Sequence, residues 1–130
     1  MEDFYKSMKE RILQMDRRNG NCVGVALYII GEPNSNKEIY LSRDESKKII
    51  SKMERTLKPE LGYLVLWASG GIPFHAGVIF MEDPFYIIHR NKKNGLLTRE
   101  SLETFSDYML KNTGLKPVYR IPTKLSKEKK

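Results

Sequence analysis

The chain contains one cysteine and two histidines, Cys22, His75 and His89, and these three residues could form a reactive site. Asn21 precedes the cysteine and is a favourable N-cap, so Cys22 would lie in the first turn of a helix. The dipole and the unpaired N–H groups there favour the thiolate, the nucleophilic form of cysteine. An imidazole within hydrogen-bond reach could take the thiol proton and return it to a leaving group, provided that a third polar group orients the ring. His75 and His89 suit these two roles.

A predicted β-hairpin would bring the two histidines together. Apolar runs flank Glu82-Asp83-Pro84, which reads as the turn between two strands. With the turn centred on its first residue, His75 would lie directly opposite His89 on one face, with Cβ atoms roughly 5 Å apart. A slip of one residue would separate the rings onto opposite faces. Gly77 would leave open space beside His75, and Asn91, which has the same strand parity as His89, is an alternative orienting group.

The other predicted elements are helices and short strands. Asn21 and Gly31 would cap the apolar run between them as a helix, although periodicity alone does not distinguish a buried helix from a buried strand. Ser42 to Glu45 resembles a capping box and predicts a helix ending at Lys58, before a proline. The remaining predictions are a helix over 3–18, a surface connection over 32–40, strands over 63–68, 75–81, 85–89 and 116–121, a turn at 94–95 and a helix opening at 98–101 and stopping at Gly114.

This order of elements predicts an α+β domain, with helices first, then antiparallel strands, and one helix before the last strand. A chain of 130 residues suits a single domain that buries roughly two thirds of its unfolded surface. We expect that domain to occupy residues 1–123 and to be followed by a basic tail over 124–130.

Composition excludes several classes of protein. No apolar run approaches the ~18 residues of a membrane span, and no signal peptide is visible, so we expect a cytoplasmic protein without a membrane span. One cysteine excludes an intramolecular disulfide. The net charge is +7, but four lysines in the last seven residues contribute much of it, and no nucleic-acid-binding motif accompanies it. Nucleic-acid binding is therefore only a background hypothesis.

Four short motifs in order resemble the NlpC-type papain-like cysteine peptidases and amidases over about residues 20–121. They are Asn21-Cys22-Val23-Gly24, Gly62 to Trp67, His75 to Phe80 and Tyr86 to His89. The resemblance implies a papain-like fold, with N-terminal helices packed on a small antiparallel sheet and an insertion at about 32–59.

The same resemblance implies the roles of the site residues. Cys22 would be the nucleophile that forms an acyl-enzyme, His75 the general base and then acid, and His89 the group that orients His75. The Cys22 backbone N–H would contribute to the oxyanion hole, and Asn21 would lie on the same substrate side. The expected reaction is hydrolysis of an amide or isopeptide bond, such as that of a peptidoglycan-type peptide, without a metal or cofactor.

Two departures from the family pattern leave other functions open. Neutral Asn21 stands where the family usually has an acidic residue, and Gly62-Tyr63 replaces the usual Gly-Asp, which weakens the inference of a cell-wall substrate. A thiol acyltransferase on the same fold is one alternative. The others are a non-catalytic basic binding module, in which Cys22 is a buried hydrophobe, and a zinc or copper site made by Cys22, His75 and His89.

Overall fold

The structure is a computed structural model that describes residues 2–15, 21–32, 42–91 and 95–129. Within these ranges the chain forms helices and strands in the order α1 (Glu2–Met15), α2 (Cys22–Ile29), α3 (Arg43–Ser51), β1 (Glu54–Thr56), β2 (Leu64–Ser69), β3 (Ile72–Met81), β4 (Tyr86–Arg90), β5 (Leu97–Ser101), α4 (Leu102–Thr113), β6 (Val118–Ile121) and α5 (Thr123–Lys129). None of the helices in the described ranges has the length and apolar character needed to cross a membrane.

The six strands form one antiparallel sheet in the order β1-β6-β2-β3-β4-β5. Helix α2 packs against β3 and β4, and α1 packs against α2. The central strands are apolar along successive residues because both of their faces are covered, as in Leu64 to Trp67, all of which are buried. The prediction of an α+β protein with an antiparallel sheet is confirmed.

Helix α2 forms as predicted and lies inside the core. The Asn21 side chain accepts a hydrogen bond from the Gly24 backbone N–H at 2.7 Å, which satisfies one of the unpaired donors of the first turn. Gly31 follows the helix with φ of 79°, a left-handed conformation that suits glycine. The apolar residues between these caps are buried all round the helix, which explains their lack of amphipathic periodicity.

The predicted helix from Ser42 to Lys58 is shorter than expected. Its capping box is present, but α3 ends at Ser51 and β1 follows. Strand β1 pairs with β6, where Glu54 faces Ile121, a residue far away in the sequence. Leu57, which continues the helical apolar stripe, is consequently 77% exposed. Tertiary strand pairing therefore overrides the local helical pattern.

The start of the next predicted helix also differs. Residues 98–101 belong to β5, which pairs with β4, and α4 begins only at Leu102. Ser101 both ends the strand and caps the helix, since its side chain accepts from the Thr104 backbone N–H at 3.2 Å. Gly114 ends α4 in a left-handed conformation, as predicted. Pro117 precedes β6, which lies inside the sheet between β1 and β2.

The C-terminal segment that we expected to be a solvated basic tail contains most of α5. Leu125 in this helix is fully buried, and the Thr123 backbone N–H donates to Glu32 Oε1 at 2.8 Å. In the predicted insertion at about 32–59, the residues from 42 onward form α3 and β1, whereas 33–41 lie outside the described residues. The predicted ends of the first helix, at 16–18, and the first residue of the turn at 94–95 also lie outside them.

Candidate functional site

Strands β3 and β4 bring the two histidines into contact. His75 Nε2 lies 2.8 Å from His89 Nδ1, and the rings are nearly perpendicular at 84°. Both side chains are almost completely buried, with exposed fractions of 3% and 1%. The pair is therefore a hydrogen-bonded imidazole dyad in a largely dry environment.

The register of the hairpin differs from the predicted one by two residues. Val78 pairs with Ile88, so the position directly across from His89 is Gly77, not His75. The prediction that His75 lies directly opposite His89 is wrong, because the turn lies further along the chain than predicted and places Met81 opposite Tyr86. A β-bulge between Ile79 and Met81 then shifts the pairing back by one residue, which leaves a difference of two. An even shift keeps both rings on one face, and the histidines meet along the diagonal between strands.

Glu100 is a third member of the site that sequence reasoning missed. In the register of β4 and β5, His89 faces Thr98, and Glu100 lies two residues further along the same face. Its Oε2 atom is 2.6 Å from His89 Nε2. Interpreting residues 98–101 as a helix start removed this residue from consideration. Treating 97–101 as a strand after the Asn94-Gly95 turn would have placed Glu100 on the face of the histidines.

These contacts determine which ring nitrogens carry protons. A carboxylate can only accept hydrogen bonds, so His89 donates to Glu100 through its Nε2–H. A neutral His89 then has a lone pair on Nδ1, which accepts from the Nε2–H of His75. A neutral His75 that donates through Nε2 has its unprotonated nitrogen at Nδ1. The chain of contacts from Glu100 to His75 thus selects the tautomer in which His75 can act as a base.

The surroundings of His89 favour its neutral form. Burial lowers the pKa of His89 from its ordinary value of 6.5, and the hydrogen bond and negative charge of Glu100 offset this effect only in part. Because a neutral ring is needed for Nδ1 to accept a hydrogen bond, burial and tautomer selection act in the same direction.

Aromatic side chains hold the two imidazoles in place. Phe105 of α4 packs against both, with ring centroids 5.2 Å from His75 and 4.5 Å from His89. Trp67 faces His75 in the register of β2 and β3 and makes an edge-to-face contact with Phe105 at 4.9 Å. This packing restricts ring rotation and keeps water from the contact between the histidines.

A cavity of about 520 Å³ opens beside the imidazoles, and we call it the α4 cavity. Its sheet side is lined by Phe74, His75, His89, Asn91 and Glu100. Its helix side is lined by Thr104, Phe105, Tyr108, Met109, Asn112 and Thr113. Of the two alternative orienting groups, His89 contacts the His75 ring directly, and Asn91 lines the same cavity.

Cys22 lies in a neighbouring cavity of about 260 Å³, which we call the thiol cavity. It is the first residue of α2, its thiol is free and its side chain is half-buried. Phe74, which directly precedes His75, lines both cavities. Among the described residues, no hydrogen bond joins the Cys22 sulfur to His75. The structure therefore brings His75, His89 and Glu100 together and places Cys22 in the adjacent space.

The zinc or copper alternative requires Cys22, His75 and His89 to converge on one ion. In the part of the chain that the structure describes, no group of three or more His, Cys, Asp or Glu residues is arranged to hold a metal ion. The remaining residues of the thiol cavity are Asn21, Val23, Arg43, Ser46 and Pro73, which include no further thiol, imidazole or carboxylate.

Comparison of the sequence with models of known protein families gives no match, and comparison with curated proteins gives none either.

Proposed function

We propose that this protein is a cysteine-dependent hydrolase of amide or isopeptide bonds, with a papain-like fold of the NlpC type. Cys22 is the nucleophile and His75 the general base. The observation that carries the proposal is the hydrogen-bonded chain from Glu100 through His89 to His75 at the wall of a cavity. Such a chain orients a base and stabilises the imidazolium that forms when it accepts a proton.

The first half of the reaction forms an acyl-enzyme. His75 Nδ1 takes the thiol proton, and the Cys22 sulfur attacks the carbonyl carbon of the substrate. The sulfur–carbon bond forms, the carbon–nitrogen bond breaks, and His75 returns the proton to the leaving nitrogen. His89 and Glu100 are positioning residues in this scheme, since they act through His75.

The second half releases the product. Water attacks the thioester carbon and gives one proton to His75, the sulfur–carbon bond breaks, and the sulfur recovers that proton, which leaves a carboxylic acid. The backbone N–H of Cys22 lies in the unpaired first turn of α2 and supports the developing oxyanion, with Asn21 beside it. Loss of one oxyanion donor typically lowers the rate by ~10²-fold or more.

The mechanism requires the Cys22 sulfur and His75 Nδ1 to come within reach across the boundary at Phe74. Pro73 and Phe74, which precede His75 on β3, both line the thiol cavity. Catalytic hydrogen bonds are often long in the unliganded state and shorten when substrate binds. Substrate bound along both cavities would bring its carbonyl carbon between the sulfur and the imidazole.

The test is the rate at which iodoacetamide alkylates Cys22 from pH 5 to 9, followed by intact-protein mass. We expect the folded protein to react faster at neutral pH than an unperturbed thiol, and the Glu100→Gln variant to react more slowly because the amide no longer enforces one tautomer of His89. Glu103→Gln, an exposed acid on α4, is the matched control and should leave the profile unchanged. Alkylation that occurs only after denaturation would overturn the proposal.

An acyl-enzyme could also transfer its acyl group to an amine or alcohol. Product analysis with and without an added amine separates this activity from hydrolysis, because transfer yields a new amide and hydrolysis yields only the acid. Either product is compatible with the same roles for Cys22 and His75.

A non-catalytic basic binding module is the second candidate. The separation of Cys22 from His75 into two cavities and the net charge of +7 favour it. Salt-dependent retention on an anionic polymer, lost in the Lys124→Gln/Lys127→Gln variant and unaffected by Cys22→Ala, would support this function. Both lysines are unburied, so the variant tests charge while the buried Leu125 of α5 is retained.

A further inference from the structure

One face of α4 forms the helical wall of the α4 cavity. Its six lining residues are two adjacent sets spaced four apart, starting at Thr104 and at Phe105, so they form a continuous stripe along the helix. The stripe begins beside the buried imidazoles, where Phe105 contacts His89, and ends at Thr113. The cavity therefore extends along the helix for more than two turns from the proposed reaction centre.

The polar donors at the far end of this stripe are used within the helix itself. Asn112 Nδ2 donates to the Tyr108 carbonyl oxygen at 2.8 Å, and Thr113 Oγ1 donates to the Met109 carbonyl oxygen at 2.6 Å. Because these two donors already have acceptors within the helix, a ligand gains little by offering them a polar group. Phe105, Tyr108 and Met109 supply aromatic and aliphatic surface between them and the histidines.

The charges around the α4 cavity disfavour an anionic ligand. Glu100 is the one acidic residue among the described lining residues, its carboxylate accepts from His89, and its side chain is 29% exposed. None of the described lining residues is a lysine or arginine. A carboxylate entering this space would find no cationic partner and would be repelled by Glu100.

We propose that the α4 cavity binds an uncharged, apolar acyl group of the substrate, with the scissile carbonyl at the His75 end. This inference rests on the proposed cysteine hydrolase and specifies its substrate class. A volume of about 520 Å³ lies within the range of about 300–1,000 Å³ that is typical of small-molecule sites. A substrate with a negatively charged acyl group is a poor fit to this cavity.

The first test compares p-nitrophenyl esters of acetate, butyrate, hexanoate, 6-aminohexanoate and adipate as acyl donors to Cys22, followed by intact-protein mass. The leaving group is constant, so the rates report acyl recognition. We expect the acylation rate to rise from acetyl to hexanoyl by up to roughly fourfold for each added methylene. Both charged analogues should react more slowly than hexanoyl because a charge that enters the cavity loses its hydration, and the adipoyl ester, which Glu100 also repels, should react at least tenfold more slowly.

A matched pair of variants tests whether the preference for longer acyl groups arises in the α4 cavity. Tyr108 and Leu110 are similarly exposed on α4, at 45% and 47%, but only Tyr108 is among the cavity-lining residues. Tyr108→Ala should reduce the ratio of hexanoyl to acetyl rates severalfold, and Leu110→Ala should preserve it. Equal rates for all esters, or a preference for a charged one, would contradict the proposed apolar substrate class. The proposed hydrolase activity would remain supported in either case, because Cys22 would still be acylated.

A binding measurement separates failure of this inference from failure of the reaction. In the Cys22→Ala variant, hexanamide should shift the NMR signal of the Met109 methyl group, and adipamate at the same concentration should have a much smaller effect. If no ester acylates Cys22 but hexanamide still binds, the result supports the apolar binding site and contradicts the proposed hydrolase activity. If hexanamide leaves the Met109 signal unchanged, the cavity does not take an apolar acyl group.

Discussion

Gly77 lies against His89, and an added Cβ at Gly77 would be 3.2 Å from the His89 Cβ. The same Cβ would be 3.2 Å from the Ile88 carbonyl oxygen and 3.5 Å from Val65 Cγ1. Neighbouring atoms therefore already surround this position on three sides. Glycine is needed here for the close approach of two strands. Because glycine has no side chain, the His89 ring can pass over β3 at this position. It then hydrogen-bonds His75, which lies two residues along β3 from Gly77.

We expect Gly77→Ala to displace His89 and to lengthen its hydrogen bond to His75. Forcing a methyl group into a packed site typically costs about 1–3 kcal/mol. Urea unfolding measures the loss of stability, and ¹⁵N NMR of the imidazoles reports the hydrogen bond. Gly70→Ala is the control, because its Cβ would meet nothing within 4 Å although its φ of 59° disfavours alanine. Unchanged imidazole signals in Gly77→Ala would contradict this account.

The pKa of His89 makes stability depend on pH. Burial lowers the pKa of His89 below 6.5, so between its folded-state pKa and 6.5 the unfolded chain binds more protons than the folded one. The contribution is complete above pH 6.5 and is lost as pH falls towards the folded-state pKa. The slope of unfolding free energy from this group is at most about 1.36 kcal/mol per pH unit.

NMR titration of His89 should show a pKa below 6.5, and unfolding free energies from pH 5 to 8 should decrease towards acid. His89→Gln removes the titrating group and should flatten this dependence. Protonated His89 donates from both nitrogens and can no longer accept from His75, so thiol reactivity should fall over the same range. Stability that increases on acidification would argue against the assignment.

Phe105 packs against both imidazoles and helps to shield them from water. Phe105→Leu removes part of the ring that packs on His89, and we expect the pKa of His89 to move back towards 6.5 as water enters. Substitutions of this kind commonly destabilise by about 0.5–3 kcal/mol. Leu110→Ala, on the exposed side of α4, is the control for helix effects. A His89 titration identical to that of the parent would show that other groups cause the desolvation.

Asn21 holds the first turn of α2, from which Cys22 is presented. Asn21→Ala leaves the Gly24 N–H without its 2.7 Å partner and should cost about 0.5–2 kcal/mol, measured by thermal or urea unfolding. Asn21→Ser retains a capping oxygen and should recover most of this loss. Equal stability of the two variants would mean that the cap contributes little.

Several elements were predictable because their signals are local. The cap at Asn21, the stop at Gly31 and the capping box at Ser42 act within a few residues, and each is present in the structure. The hairpin could be predicted from its apolar runs and turn. Its register could not, because neither the exact position of the turn nor the bulge between Ile79 and Met81 leaves a distinct mark in the sequence.

The two failed helix predictions share one physical cause. Residues 54–56 and 98–101 carry helical patterns, yet both form strands because partners elsewhere in the sheet satisfy their backbone groups. Glu100 escaped notice for this reason, although it is two residues along from Thr98, the partner of His89. A helix would have turned it away from the histidine face.

The sequence by itself determined the helical start that carries Cys22 and the two strands that carry His75 and His89. Those features depend on caps, turns and alternation, which operate over short stretches of chain. Only the tertiary structure decided the diagonal contact of the histidines, the addition of Glu100 and the position of Cys22 in a neighbouring cavity. These depend on how distant segments pair and pack, and no local pattern encodes that alignment.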